Sequence, residues 1–253
     1  MLSPPLSSAP ELSFFITAIP AVLITGLGKG GMGNALGMIA VPLMSISMPP
    51  VQAAAILLPL LLVMDGFAIW GWRKHVDWTV FRVIIFPGLF GIFLGLMIFA
   101  SLSERAIRGI IGIIAILFCL NQWFGDYVHS PHKPGTLSGI FWSTVSGFTS
   151  FGIHSGGPPL SVYMLPLKLE KEFLAGTMAI FFGSLNLIKC PAYAALGQFT
   201  ANNLLLSSLL VPVCPLGVWL GMKMVKAIST DFFYKVLYVC LFITGLKLLT
   251  DLF

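Results

Sequence analysis

Apolar and polar stretches alternate along the chain on the scale of about twenty residues, the length an α-helix needs to cross a bilayer. Residues 11–27 are apolar, Gly28-Lys29-Gly30-Gly31-Met32-Gly33-Asn34 interrupts them, and 35–47 is apolar again up to Pro49-Pro50. A longer apolar run, 51–72, carries one charge, Asp65, and ends at Arg73-Lys74-His75-Val76-Asp77. Two further helices are predicted over 79–101 and 106–122, separated by Ser103-Glu104-Arg105. Gly125 to Gly135, with His129, Pro131, His132 and Pro134, reads as a central linker. Beyond it the order returns. Residues 137–151 are apolar, Gly152-Ile153-His154-Ser155-Gly156-Gly157-Pro158-Pro159 interrupts them, and a short run reaches Leu167. Helices are then expected over 172–196, 203–222 and 232–250.

The recurrence is an internal repeat with ordered landmarks at a nearly constant offset. Gly26 pairs with Gly147, Pro42 with Pro166, and Val51-Gln52-Ala53-Ala54 with Phe173-Leu174-Ala175-Gly176. Pro87 pairs with Pro212, Gly91 and Gly95 with Gly217 and Gly221, and Ser103 with Ser229. The chain therefore divides into a first repeat, 1–124, a linker, 125–136, and a second repeat, 137–253, within one membrane domain. Lysine and arginine favour the cytoplasmic side. With an even number of crossings per half, Arg105, Arg108, Lys168, Lys171, Lys223 and Lys226 would all lie outside. With an odd number, only Arg105 and Arg108 remain outside among the loop residues. The expected fold is an all-α polytopic membrane protein of two inverted-topology repeats, both termini opposite the cytoplasm. Each repeat has a Gly-rich broken or re-entrant helix pair followed by three transmembrane helices. The glycine pairs Gly91/Gly95 and Gly217/Gly221 are small-xxx-small patterns that let helices approach closely.

Composition narrows the class. Charged residues make up 9% of the chain and apolar residues 57%, against roughly 25% charged in soluble domains. The apolar runs are too long and unbroken for the alternating strands of a membrane β-barrel. The start, Met1 to Pro10, lacks a basic segment, so the first apolar run is expected to be retained rather than cleaved. The net charge of +5 is spread along the loops, as membrane anchoring requires and a nucleic-acid site does not. Cys119, Cys190, Cys214 and Cys240 lie in apolar runs without metal-ligand or redox spacing and read as packing residues. No H-E-x-x-H or G-x-S-x-G pattern occurs, so neither an enzyme nor a cofactor or metal is expected.

The chemistry concentrates at the two breaks. Short, Gly-interrupted segments at matching positions of two halves point to a transporter's binding site. Broken helices present backbone N–H groups and positive dipole ends that an anion satisfies and lipid does not. At ~1.5 Å per residue, both 11–27 and 158–167 fall short of a ~30 Å core. The same glycines also suit tight helix crossings, and that reading stays open. Lys29, flanked by Gly28 and Gly30 with Gly31 next, suits an anionic substrate or reaches the surface from a re-entrant loop. Asn34 offers an amide N–H; His154, Ser155, Gly156 and Gly157 form the second candidate cluster. His154 either binds an anion or relays a proton, or is a neutral core residue. Asp65 and Lys189 are each the one charge deep in a helix, at near-equivalent positions, and intramembrane charges are functional candidates by default. The expectation is a mutual Asp65–Lys189 pair, either structural or gated to release Lys189 to substrate and Asp65 to a proton. Asn186 lies one turn before Lys189 on the same face.

The landmarks that carry this reading are also those of a known family. The sequence resembles the sulfite exporter TauE/SafE family in its Gly-rich breaks (Gly26–Gly33, Gly147–Gly157) and the Val41-Pro42 and Leu165-Pro166 that follow. It resembles it further in Gln52-Ala53-Ala54, Ala175-Gly176-Thr177, and the turns Gly71 to Asp77 and Gly197 to Asn202. The resemblance runs from about 12 to 250. It implies a secondary transporter exporting sulfite or a small organosulfonate across a bacterial inner membrane, with protons as the coupling partner. Lys29 and His154 depart from glycine-only breaks, and Asp65 and Lys189 stand where small hydroxyl or apolar residues are expected. A carboxylated sulfonate would use the second cation. The alternative is an uncoupled anion channel built on the same breaks.

Overall fold

The computed structural model describes residues 12–32, 37, 40–98, 109, 112–113, 115–120, 123, 134–154, 156–195 and 197–250. Among them all regular structure is helical. The first half contains α1 (Leu12–Leu27), a π-helical turn (Gly28–Met32), α2 (Ala40–Met44), α3 (Pro50–Trp72) and α4 (Trp78–Ile98). Residues 115–120 are helical and belong to the helix expected over 106–122, the rest of which is described only at 109, 112 and 113. The second half contains α5 (Thr136–Ile153), α6 (Gly157–Met164) with a 3₁₀ turn (Leu165–Leu167), α7 (Lys171–Ala195), α8 (Ala201–Leu210), α9 (Val213–Ala227) and α10 (Thr230–Thr250). The expected linker lies outside the described residues up to 133.

Among the described residues four helices are long and apolar enough to cross a membrane, with up to five spans if the bent pair α8–α9 counts as one. Phe86, Phe90 and Phe93 of α4 and Leu204, Leu205 and Leu209 of α8 are exposed apolar side chains. In water such a surface is a liability, and in lipid it is the expected exterior. The protein is a multi-pass membrane protein.

Two expectations change. The first apolar piece is not short, because helix continues through the π turn and gives a 20-residue span, Leu12–Gly31. The stretch 203–222 is not one helix but two, bent by 46° between Leu210 and Val213. Prolines explain the bend: Pro212 and Pro215 have no N–H to give to the carbonyls of Ser208 and Val211. Those carbonyls accept instead from Val211 N (3.3 Å) and Cys214 N (3.0 Å), which tightens the chain locally. The matching Pro87, alone, leaves α4 continuous.

At the centre α3 and α7 pack side by side and antiparallel. Gly176 at the start of α7 lies against the backbone of Trp72 and His75, and Gly183 against Ile69 and the β-carbon of Asp65. At the far end Gln52 Nε2 donates to Asn203 Oδ1 at 3.2 Å. Both helices are buried along their mid-sections, by Ile56, Leu60 and Met64 on α3 and Phe181 and Leu185 on α7. Two further pairs flank them: α1 with α9, and α4 with α5. Their crossings are built on glycine. A β-carbon on Gly26 would stand 2.8 Å from Gly217 Cα, and one on Gly147 would overlap the carbonyl of Gly88. Gly91 is likewise pressed on Thr144 O and Gly95 on Phe151, so the small-residue pairs lie at close helix crossings.

Cations gather at one end of the α3–α7 pair. Lys226 stacks over Trp72 (5.6 Å to the ring centre), Lys168 over Tyr234 (4.9 Å), and Lys171 donates to the carbonyl of Ile228. Arg73 and Lys74 follow Trp72 at the same end. In a background lacking the four natural cysteines, cysteines at Lys74 and Gln198 should each react with a membrane-impermeant maleimide from opposite sides of the membrane. Labelling of both from one side would contradict the antiparallel arrangement.

Candidate functional site

The ends of α1 and α5 and the middles of α3 and α7 meet at a small cavity, about 30 Å³, room for about two waters. Thr25 and Lys29 line it from the first half together with Leu57 and Leu61 of α3. Ser150, His154 and Gly157 line it from the second break, and Phe182, Asn186 and Lys189 from α7.

Local chain geometry delivers Lys29. After Leu27 the helix widens into the π turn, an insertion that often marks functional sites. Gly31 then takes φ 122°, ψ −5°, a left-sided conformation that glycine adopts without steric cost. The loosened turn is held from outside, since Trp72 Nε1 donates to the carbonyl of Gly30 at 3.0 Å. Lys29 is thereby turned inward and is 8% exposed. Its Nζ donates to Asp65 Oδ1 at 2.6 Å, with the ammonium 5.5 Å from the ring centre of Phe182. The other carboxylate oxygen, Asp65 Oδ2, accepts from Asn186 Nδ2 at 2.6 Å. Asp65 thus has one charged and one neutral donor, on two different elements.

Lys189 is fully buried. Its Nζ lies 3.1 Å from Ser150 O, 3.2 Å from Ser150 Oγ and 3.2 Å from His154 Nδ1. All three partners are neutral acceptors, and among the described residues no carboxylate forms an ion pair with it. The expected Asp65–Lys189 pair is therefore corrected: α3 and α7 do adjoin, but Asp65 turns to Lys29 and Asn186. The reason is reach, because the π turn lowers Lys29 onto Asp65, while Ser150 and His154, one turn apart on α5, enclose Lys189.

Donor logic assigns the histidine. With Lys189 donating to Nδ1, the ring is neutral and carries its proton on Nε2, which lies 3.0 Å from Tyr193 Oη. Both ring nitrogens are thus engaged by protein. His154 closes α5 in the left-handed region (φ 51°), unusual for a residue with a β-carbon, and its N–H returns to Thr149 O.

Several residues singled out from sequence have other surroundings. Gly30 faces α9, where a β-carbon would meet Val218 O and stand 2.8 Å from Gly221 Cα. Gly31 faces Val225 and Ala175, and Gly156 packs on Ser146 and Phe182. These three glycines sit at close packing contacts and are not among the residues that line the cavity. The second break also offers few backbone donors, because Pro158 and Pro159 in the first turn of α6 have no N–H. Gly157 lines the cavity; Asn34 and Ser155 lie outside the described residues. Sequence reasoning missed Thr25, Ser150, Phe182 and Tyr193. One signal for Ser150 was available: it stands four residues before His154, on the same helix face.

Counted as formal charge, the described ionisable groups are two ammoniums against one carboxylate, with a neutral imidazole. One cation, Lys189, has no counter-charge among the described residues. At 4 Å an anion would gain about 4 kcal/mol from it at an effective dielectric of 20, against about 1 in water.

A family model described as "Sulfite exporter TauE/SafE" matches residues 18–248. No curated protein and no solved structure matches.

Removing one member of a buried pair leaves a charge without a partner, at a cost of about 3–5 kcal/mol. Lys29→Met should therefore lower the melting temperature in detergent markedly. The double substitution Lys29→Met with Asp65→Leu should recover most of the loss. Equal melting of Lys29→Met and the unaltered protein would mean the pair contributes no coupling.

Proposed function

Because the chain belongs to the sulfite exporter TauE/SafE family, we propose that it is a secondary transporter exporting a small sulfur-containing oxyanion, sulfite or an organosulfonate. Its binding site is the cavity between Lys29 and Lys189, and its setting is the inner membrane of a bacterium. The observation that carries this reading is Lys189: a fully buried ammonium on the cavity wall whose partners are all neutral. Intramembrane cations of this kind mark substrate paths. Lys29 from the first break supplies a second cation on the same cavity. An organosulfonate bearing a carboxylate has an acidic group for each.

The two halves are read as inverted repeats. Three packing relations support this. The pairs α1–α9 and α4–α5 exchange under the repeat, and α3–α7 maps onto itself with its members antiparallel. Lys29 on Asp65 and Ser150 on Lys189 are equivalent contacts, each joining the end of a half's first helix to the middle of its central one. The loops 73–77 and 198–202 lie at opposite ends of α3–α7. Transport then proceeds by movement of one half against the other about the cavity.

Protons are the coupling partner, and Asp65 is the group that carries them. When Lys29 turns to substrate, an ionised Asp65 would be left buried without its counter-charge, a costly arrangement that a proton removes. His154 acts as the positioning residue for Lys189, with Tyr193 behind it.

The test is sulfite flux in proteoliposomes. Loss of one charge-assisted hydrogen bond, about 1.5–3 kcal/mol, corresponds to about a 10- to 100-fold weaker apparent affinity. Lys189→Gln should show that loss, and a pH gradient should drive uphill sulfite movement in the unaltered protein. Flux that only dissipates the sulfite gradient, whatever the pH difference, would indicate a channel. Full activity of Lys189→Gln would remove the site.

A further inference from the structure

Asp65 has a place in the site beyond that of a counter-ion. Its carboxylate lies behind the cavity wall, gripped at both oxygens: Oδ1 by Lys29 Nζ and Oδ2 by Asn186 Nδ2, each at 2.6 Å. Both donors line the cavity, and Asp65 itself does not. The two donors come from opposite halves of the chain and converge on one flat O–C–O edge. That is the geometry by which a protein holds a bound carboxylate or sulfonate.

We propose that Asp65 is an internal stand-in for the transported anion, seated on the Lys29–Asn186 donors, and that substrate binds by displacing it. The inference rests on the anion-transport reading above and deepens it. An incoming oxyanion needs the same N–H groups, and two like charges at close range repel. Ionised Asp65 and substrate therefore exclude each other. The facing groups are Lys29 from the first break, Asn186 and Lys189 from α7, and His154 from the end of α5. The ligand class follows from the seat. A ligand must offer two oxygens on one atom, as sulfite, sulfonates and carboxylates do; a halide cannot reproduce the pairing. Empty, the site stays closed on its own carboxylate and presents no unpaired Lys29 to the membrane.

Competition lowers apparent affinity by the fraction of time the seat is free. If Asp65 occupies it nine-tenths of the time, removing the carboxylate tightens binding about tenfold. The experiment measures sulfite binding to the purified full-length protein in detergent, by tryptophan fluorescence, for the unaltered protein, Asp65→Asn and Asp65→Ala. The expected result is a Kd lower by about tenfold or more in Asp65→Asn. Asp65→Ala adds a second readout that survives poor folding of the Asn variant. Formate should raise its melting temperature by refilling the seat and should compete with sulfite, and chloride should do neither. Unchanged or weaker sulfite binding in the folded Asn variant overturns the proposal. So does formate rescue of Asp65→Ala without competition, which would make Asp65 a structural brace. Failure of the underlying reading looks different: sulfite, sulfoacetate and thiosulfate would then bind none of the three proteins.

Discussion

The buried ion pair between Lys29 and Asp65 is the contact on which the site depends. It joins a loosened turn at the end of α1 to the middle of α3, and through Asn186 it reaches α7. A lone charge at such depth is costly, so each member needs the other. The pair fixes how far the turn enters the core and which way Lys29 points. Lys189, across the cavity, is left with the neutral acceptors Ser150 and His154. Which of the two lysines lacks a counter-charge is thus a consequence of where Asp65 went.

The helix crossings set the precision of that arrangement. Gly26 and Gly30 on one side meet Gly217 and Gly221 on the other at backbone contact. In lipid, close packing of small residues replaces the hydrophobic effect as the force between helices. The equivalent crossing of α4 on α5 uses Gly88, Gly91, Gly95 and Gly147. Each broken helix is therefore clamped by a helix from the other half of the chain.

Much of this was legible in the sequence, for physical reasons. A charge in a long apolar run or a membrane break needs a partner, so Asp65, Lys189 and Lys29 stood out; the two lysines line one cavity and Asp65 lies behind it on Lys29. Their pairing was not legible. It depends on the stagger of α3 against α7 and on the π turn, and neither leaves a trace in composition. Glycines misled in a different way. Having no side chain, Gly30 and Gly31 read the same whether a ligand or a helix approaches, and here the helix does. Ser150 and Tyr193 are ordinary residues of membrane helices and acquire meaning only beside Lys189 and His154. The bend between α8 and α9 was present in Pro212 and Pro215, obscured by the match of Pro212 to the single Pro87 of an unbroken helix.

The central claim is that a sulfur oxyanion occupies the space between Lys29 and Lys189. Its most direct test is a crystal structure of the protein soaked with selenite, a heavier analogue of sulfite located by its anomalous signal. The account predicts one strong peak in the cavity, within hydrogen-bond reach of both lysine Nζ atoms, with the Asp65 carboxylate turned away from Lys29. A peak among the basic residues at the end of α3 and α7, with none in the cavity and the Lys29–Asp65 pair intact, would contradict it.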